Sequence, residues 1–587
     1  MIVPMKKVFI IAQDKDAEDM LTSLRRFGVV HIEHIRMPKG EDINALQADI
    51  ALLTEAIRIA SLFKQDNPKI NEPVDRRTVA RRIVDLHKRL MQLEDCSSAL
   101  RQKISEWEEW GDFEPAEIKS LEEKGVYLRL FRIPTKELKN LPQDIAIETV
   151  SIRGGIANCV LVSQEKKEIA YKETPLPKMS LSSLRLRLQE ELRMRSRIEE
   201  ELKKEAGLKI VLSNVKAQLE KQLEFQEALR GMGREDSFVY LSGYVPQENV
   251  AALEAHAKKH NLGILVRDPA QDEEAPVLIK NPAWISIVKP IFNFLQILPG
   301  YRELDISLPF LIFFSIFFGM LIGDAGYGLI YAAITFWWQR KTASKNKDTG
   351  VFVLFYILSI SAVIWGVLTG TFFGHEWVLK AGYPSLLPAL NSEKNLQRFC
   401  FFLGALHLSL AHLWRAWLKL PSLSALADVG WALVLWAVFF IAKSLVIGDS
   451  FPLFGNWLVI AGVVCIIFFT HPQKNIFRAI AEGLGMGMLP LSLMSTFTDV
   501  VSYIRLFAVG LAGVAIADAF NAMAGMIGTK SIFTLIAASL IAIIGNALGV
   551  VLGPVSVLVH GLRLNVLEFS GHANVSWSGR PYKPLQD

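Results

Sequence analysis

Arg505 stands in the middle of an apolar stretch long enough to cross a bilayer, and no other residue limits the fold so strongly. The run from Met486 to Gly528 reads MGMLPLSLMSTFTDVVSYIRLFAVGLAGVAIADAFNAMAGMIG. A guanidinium at mid-bilayer costs about 2.5–3.5 kcal/mol on insertion scales. Arginine does not shed its proton, so it must face a partner or water. Snorkelling to an interface is the alternative, yet Arg505 lies almost equally far from both ends of the run.

With 587 residues the chain exceeds one domain, and its composition changes at about Leu304 from charged and mixed to mainly apolar. The net charge of +5 comes from basic residues scattered through helices and short loops. Without an aromatic-interleaved basic patch, nucleic-acid binding is excluded as a reading. Cys96, Cys159, Cys400 and Cys465 form no CxxC pair, which argues for reduced, structural thiols and against disulfides or a zinc knuckle. The opening MIVPMKKVFIIAQDKD carries too short an apolar run for a signal peptide, so a cytoplasmic N-terminal domain is expected.

In the soluble half, a strand at 8–11, a helix at 17–27 and a strand at 29–35 form a β-α-β unit, and FVYLSGYV, VAALEAHAKKH and LGILVRD repeat the pattern. Residues 1–40 and 233–290 are thus expected to share one membrane-proximal α/β lobe. The strands VYLRLFRI, AIETVSI and NCVLVSQ put a distal lobe at 116–178. Residues 41–115 and 179–232 read as coiled-coil arms. Ile83, Leu86, Leu90, Leu93, Ser97, Leu100, Ile104 and Trp107 follow heptad steps, as do Ile43, Leu46, Ile50, Leu53 and Ile57, before a break at Asn67-Pro68 and Glu72-Pro73. A less regular return helix spans Leu181 to Arg230. An antiparallel hairpin is the expected form, and 50 helical residues would reach about 75 Å. An ordinary helical bundle is the alternative.

The segment 305–570 is expected to be an α-helical polytopic membrane domain of about eight spans, at about 308–323, 325–339, 351–373, 399–418, 429–447, 453–470, 487–528 and 532–563. The first two are separated by a turn at Gly323 to Gly326, though one broken segment is an open alternative. Arg340, Lys341, Lys345, Lys347, Lys419, Lys474 and Arg478 then fall on the cytoplasmic side, as does the tail at 571–587 with Arg580 and Lys583. Lys380, Lys394 and Arg398 run against this rule. The last two spans are long and expected to tilt. Gly545, Gly549 and Gly553 on one, and Gly510, Gly513 and Ala517 on the other, offer smooth surfaces for close backbone approach.

Polar groups within the spans are functional candidates by default. They are Asp324, His407, His412, Asp428, Lys443, Asp499, Ser502, Tyr503, Asp518, Asn521, Asn546, His560, Arg563, Asn565 and Glu568. Asp428 and Lys443 can equally be interfacial. His407 and His412 are five residues apart, the wrong step for two metal ligands on one helix face. No metal or cofactor is expected. GMIGTKS at 525–531 lacks the adjacent Gly-Lys and the preceding strand of a P-loop, so no nucleotide site is expected.

At Ser502-Tyr503-Ile504-Arg505-Leu506, followed by Phe507 to Gly513, the chain resembles the membrane stator subunit of rotary V/A-type ATPases, subunit I or subunit a. Gly300 to Asp305, Phe318 to Met320, Gly323 to Gly328, Leu241 to Pro246 and His560 to Phe569 are similar to further motifs of that family, so the resemblance covers the whole chain. It implies a stator beside a rotor ring whose subunits each carry a buried carboxylate. Arg505 would drive that carboxylate to ionise, with Arg563 supporting the contact, between two ion half-channels. Asp324, His407, His412, Asp499, Ser502, Tyr503, Asp518, Asn521, His560, Asn565 and Glu568 are the candidate linings.

Peripheral stalk subunits, a central-stalk ring-capping subunit, the lipid bilayer and H⁺ or Na⁺ are the implied partners, in a prokaryotic plasma membrane. ATP chemistry would lie on other subunits. Gly513 stands where eukaryotic relatives carry histidine, so a proton relay at that position is absent. Rise counting sets Arg505 and Arg563 about 10–15 Å apart in height, and a kink or unwinding near Pro554 would be needed to bring them level. The competing readings are a secondary transporter with a cytoplasmic coiled-coil regulatory domain, which predicts internal repeats not found here, and a membrane-anchored sensor, which has no use for charge at bilayer depth.

Overall fold

The computed structural model describes residues 1–63, 76–138, 146–165, 171–342, 349–374, 386–470, 488–528 and 531–586. The expected breaks at Pro68 and Pro73, and Lys345, Lys347, Lys380, Lys474 and Arg478, lie outside these.

Strand β1 (Met5–Gln13) turns its alternate apolar residues onto helix α1 (Ala17–Phe27), which buries Met20, Leu21 and Leu24. Gly28, at φ 69°, ends α1 in the left-handed conformation open to glycine, and its N–H bonds Leu24 O. Strand β2 (His31–Glu33) follows. Helices α2 (Glu41–Ala60) and α3 (Arg76–Trp107) lead outward to a sheet of β3 (Tyr127–Pro134), β4 (Ala146–Arg153), β5 (Ile156–Ser163) and β6 (Glu173–Thr174), in the order β4-β5-β3-β6.

The return path is divided. Helix α4 (Leu181–Ala206) stops at Gly207-Leu208, and α5 (Lys209–Arg230) begins anew, where a single helix was expected. Ion pairs fix antiparallel running: Glu94 to Arg195 and Arg82 to Glu205 join α3 with α4, Glu108 in the turn just after α3 meets Arg185 of α4, and Asp42 to Arg230 joins α2 with α5. Ile83, Leu90, Ser97, Leu100 and Trp107 of the expected seam are buried. Leu53, Ile59, Val79, Ile83, Leu202 and Leu212 make a shared core where all four helices meet.

Strands β7 (Gly233–Glu235) and β8 (Phe238–Pro246), helix α6 (Val250–Lys259) and strand β9 (Gly263–Arg267) complete the first lobe. The sheet order is β2-β8-β1-β9, all antiparallel, so β8 inserts between the two strands of the first unit and the β-α-β pieces interlock. The C-terminal segment also belongs to this lobe. Leu585 is buried in its core, Val277 N–H donates to Arg580 O and Tyr582 N–H to Val277 O, and the Tyr582 hydroxyl donates to Val29 O. Residues 571–587, expected as a cytoplasmic tail, thus contribute to the core of this lobe.

The membrane half holds α7 (Ser307–Ile322), α8 (Ala325–Thr342), α9 (Gly350–Thr369), α10 (Glu393–Lys419), α11 (Ala425–Ala442), α12 (Leu453–Phe469), α13 (Met488–Ser502), α14 (Ile504–Ile527) and α15 (Ile532–Ser556). Among the described residues, five helical stretches are long and apolar enough to cross a membrane, against about eight expected. The α7 and α8 pair, bent by 119° at Gly323-Asp324, and the 17-residue α12 account for the difference. Glycines 545, 549 and 553 admit Phe520, Tyr327 and Ile322 side chains, not the expected backbone, whereas Gly510 does allow a backbone approach, at Met320 O. Arg398, which broke the charge rule, is neutralised by a two-pronged bond to Asp449 at 2.6 and 2.8 Å.

Candidate functional site

The seventh long segment is interrupted at Tyr503, between α13 and α14. The Tyr503 side chain is fully buried and its hydroxyl lies 2.8 Å from His407 Nδ1. The His407 ring is itself sandwiched by Phe313 and Phe569, with centroids 3.9 and 4.4 Å away. This packing clamps the break and aims the next turn, which carries Arg505. Its Nε donates to Ser502 O at 3.0 Å and its Nη2 to Glu568 Oε1 at 2.7 Å. Arg563 Nε stands 3.4 Å from the same oxygen, and Ser502 Oγ 3.5 Å.

Both arginines thus converge on one carboxylate, and the height difference given by regular rise counting disappears. After Pro554 the last helix passes through two π-helical turns, Val557–Gly561 and Leu564–Phe569. Such turns take in extra residues without equal advance along the axis, and Pro554, which has no backbone N–H to donate, stands just before them. The Glu568 side chain is 5% exposed, Arg505 23% and Arg563 55%, so Arg563 is the part of the cluster that faces outward.

Two cavities flank Arg505. One, of about 510 Å³, is lined by Arg415, Ser495, Asp499, Arg563, Glu568 and His572, among others. The other, of about 130 Å³, is lined by Thr369, Thr371, Glu393, Leu506, Gly510 and Val514, among others. Helix α10 begins at Glu393 and reaches Arg415 near its other end, so the cavities lie toward opposite ends of the bundle. Along the α13–α14 segment, Ser495 and Asp499 precede Arg505 while Leu506 to Val514 follow it. Arg505 falls between the two sets in sequence.

The larger cavity holds a chain of polar contacts. His572 Nε2 is 3.2 Å from Asp499 Oδ2, and His572 Nδ1 is 2.9 Å from His412 Nε2. His412 Nδ1 is 3.5 Å from Asp428 Oδ1, and Asp428 also meets Lys419 at 2.6 Å and Arg415 at 3.4 Å. Asp428 is therefore a buried, paired group, while Lys443 meets Asp449 at 3.3 Å.

The remaining candidates sit elsewhere. Asp324 is wholly buried; its Oδ1 accepts the N–H groups of Gly326, Tyr327 and Phe373, and its Oδ2 that of Gly374. Asn521 donates to Phe373 O and accepts from Asn546, which accepts from the Tyr327 hydroxyl. These groups staple α8, α14, α15 and the segment after α9. Asp518 is exposed next to Gly374, His560 lies near both guanidiniums, and buried Asn565 donates to Gly561 O within the π-helical stretch. His572 and Arg415 were missed by the sequence reading. His572 lies four residues after Glu568, a step that puts both on one helix face, but the last span was expected to end sooner.

No family profile matches the chain. A curated relative from Borreliella burgdorferi, named V-type ATP synthase subunit I, is 30% identical across the whole chain and 99% of its own length. The chain belongs to the V-type ATP synthase subunit I family. A Treponema pallidum relative named V-type ATP synthase subunit I 1 is 29% identical over the full length of both chains. The A-type ATP synthase subunit I of Methanocaldococcus jannaschii is 25% identical over 58% of this chain and 54% of its own. A crystal structure of the cytoplasmic N-terminal domain of subunit I, homolog of subunit a, of V-ATPase is 16% identical and covers 45% of this chain and all of its own, with a TM-score of 0.24.

Proposed function

We propose that this subunit of a rotary ATPase is its ion-conducting stator, with Arg505 acting on the carboxylate of each passing rotor-ring subunit. The observation that carries the reading is the Arg505–Glu568–Arg563 cluster set between two cavities at opposite ends of the bundle. Glu568 neutralises part of the double positive charge and holds both guanidiniums in one place. A ring carboxylate arriving from lipid, neutral or holding its ion because ionised burial is costly, gains a cation at short range and ionises, since a nearby cation lowers a carboxylate pKa by about 1–3 units. It discharges into one cavity and reloads from the other. The fixed guanidinium repels a free cation, which prevents direct flow between the cavities.

The last two helices suit a ring contact. α15 keeps a continuous row of exposed apolar residues, Ile536, Leu540, Ile543, Val551 and Val555, and Arg563 projects beyond it. The four-helix arm, coiled-coil in character and antiparallel by its ion pairs, would be a strut. Its distal sheet at 127–174 would dock the peripheral stalks, and the proximal lobe would face the ring and its central-stalk cap. The cytoplasmic side would hold both lobes and the C-terminal segment.

Cysteine accessibility in the assembled complex tests the two-cavity arrangement. Ser495→Cys should react with a membrane-impermeant thiol reagent from the lobe side alone, and Thr369→Cys from the opposite side alone. Labelling of both from one side would refute it.

A further inference from the structure

We propose that the groove between the proximal lobe and the lobe end of the helix bundle seats one phospholipid whose head group carries both charges, a phosphate joined to a primary ammonium as in phosphatidylethanolamine. The groove lies apart from the two cavities beside Arg505, and its ligand does not depend on the ion path.

The groove has a volume of about 710 Å³, within the range of ligand sites. Its lobe side is made by Ile2, Val3 and Pro4, just before β1, and by the stretch 301–305 that leads into α7. On the bundle side stand Leu308 of α7 and, at the end of α10, Trp414 and Leu418. Ile285, in the short apolar segment Ala283–Leu295, closes it. Trp284 and Trp417, next in sequence to Ile285 and Leu418, are exposed, and tryptophan gathers where membrane meets water. From that level an exposed row on α10, Trp417, Leu413, Leu410 and Leu406, steps down the bundle at helical spacing. A head-group seat therefore runs on into a track for an acyl chain.

Charge decides which lipid fits. Arg302 and Glu303 both line the groove, and neither has an oppositely charged partner among the described residues. Neutral groups hold each of them instead. Arg302 Nη2 donates to Ala270 O at 2.7 Å and lies 3.5 Å from Pro269 O, which leaves Nε and Nη1 for a further acceptor. Glu303 Oε2 accepts the Gly300 N–H at 2.6 Å, and its Oε1 accepts that of Ser576 at 2.8 Å. Other charges close by are already paired, Asp305 with the Met1 amino group at 2.6 Å and Lys280 with Glu248 at 3.0 Å. One cation and one anion, adjacent in sequence, thus remain for a ligand. A phosphodiester meets a guanidinium through charge-assisted bonds, and a primary ammonium donates to a carboxylate in the same way. A choline head group lacks the N–H donors, and a glycerol head group brings only negative charge toward Glu303. The tails contribute little to the choice, because a chain on the α10 row gives up equal contacts in the surrounding bilayer.

The test uses vesicles carrying the whole complex and a photoactivatable lipid, with the same diazirine acyl chain on an ethanolamine, a choline or a glycerol head group. Cross-linked peptides are mapped by mass spectrometry. The ethanolamine lipid should label the peptides around Ile285 and Leu418 at least about ten-fold more than either of the others, equivalent to about 1.4 kcal/mol. Arg302→Ala and Glu303→Gln should each remove that preference, and Lys289→Ala, at a lysine that lines a different cavity, should keep it. Soluble glycerophosphoethanolamine in large excess should not compete; competition would mark a site for the free head group and overturn the lipid. Equal labelling by the three lipids, or the wild-type preference in both groove variants, would overturn the proposal. If those variants fail to assemble, the comparison of the three lipids on the wild type still decides.

Discussion

Replacing Asp324 separates a structural carboxylate from one on the ion path. Its Oδ1 takes N–H groups from Gly326, Tyr327 and Phe373 at 2.7, 3.1 and 3.0 Å, and its Oδ2 takes that of Gly374 at 2.7 Å. Two of these donors lie in the first turn of α8, where an anion also meets the positive end of the helix dipole. In Asp324→Asn the carbonyl oxygen can keep the first three bonds, but the amide NH₂ then faces Gly374 N–H, and two buried donors go unmatched. At about 1–3 kcal/mol for each unmet buried group, the cost is about 2–6 kcal/mol. Asp324→Ala strips all four acceptors and should cost more, though the penalties will not simply add. Unfolding of the purified subunit in mixed detergent and SDS, followed by tryptophan fluorescence, should show midpoints in the order wild type, Asn, Ala. Pumping per assembled Asn complex should stay within about two-fold of wild type, a change below 0.5 kcal/mol. An Asn variant of wild-type stability that cannot pump would refute the staple and return Asp324 to the ion path.

Glu568→Gln should leave both guanidiniums without their shared anion and reduce coupled pumping at least about ten-fold, with Glu568→Asp retaining part; wild-type pumping by the glutamine variant would show that the carboxylate is dispensable. Burial lowers the His31 pKa below its ordinary value and outweighs the contact of its Nδ1 with Lys583 O at 2.8 Å, which acts the other way, so a docked C-terminal segment that buries the ring favours neutral imidazole. That contribution is present above the unfolded pKa of about 6.5 and is lost as pH falls through the lower folded value. Hydrogen exchange at Tyr582 to Leu585 should therefore rise on acidification toward pH 5 and not in His31→Gln; equal profiles would remove His31 from the docking. Cysteines placed at Ser344, which lies outside the described residues, and at Ser578 should label from the cytoplasmic side and one at Ser392 should not, and the reverse pattern would invert the topology. Deleting the distal sheet should leave an inserted subunit that no longer holds the peripheral stalks, and stoichiometric co-purification would contradict the strut.

What could be read from the sequence was what periodicity and burial cost determine locally. Ile83, Leu90, Ser97, Leu100 and Trp107 of the α3 seam are buried while Leu86, Leu93 and Ile104 are only partly so, and the Arg505 guanidinium found the partner it required. Features that depend on distant segments were not legible. The interlocked sheet order needs β8 between β1 and β2, a pairing across some 200 residues that no local pattern encodes. The Tyr503 break is set by Phe313, Phe569 and His407, which come from three other parts of the chain. The wide turns after Pro554 level Arg505 with Arg563 and carry the last helix on to Ala573, which is why His572 fell outside the expected span. Asp324 resembled a lining residue because charge at depth suggests function. Its four backbone donors come from a bend and a loop whose meeting only the fold reveals.

The stator reading stands or falls on Arg505. ATP-driven ion transport should be measured in vesicles bearing the whole complex with Arg505→Ala, beside Arg505→Lys and a check that all subunits co-purify. Transport should be abolished in the alanine variant and nearly so in the lysine variant, whose amine can lose its proton where a guanidinium cannot, while assembly is retained. Robust transport by an assembled Arg505→Ala complex would contradict the account.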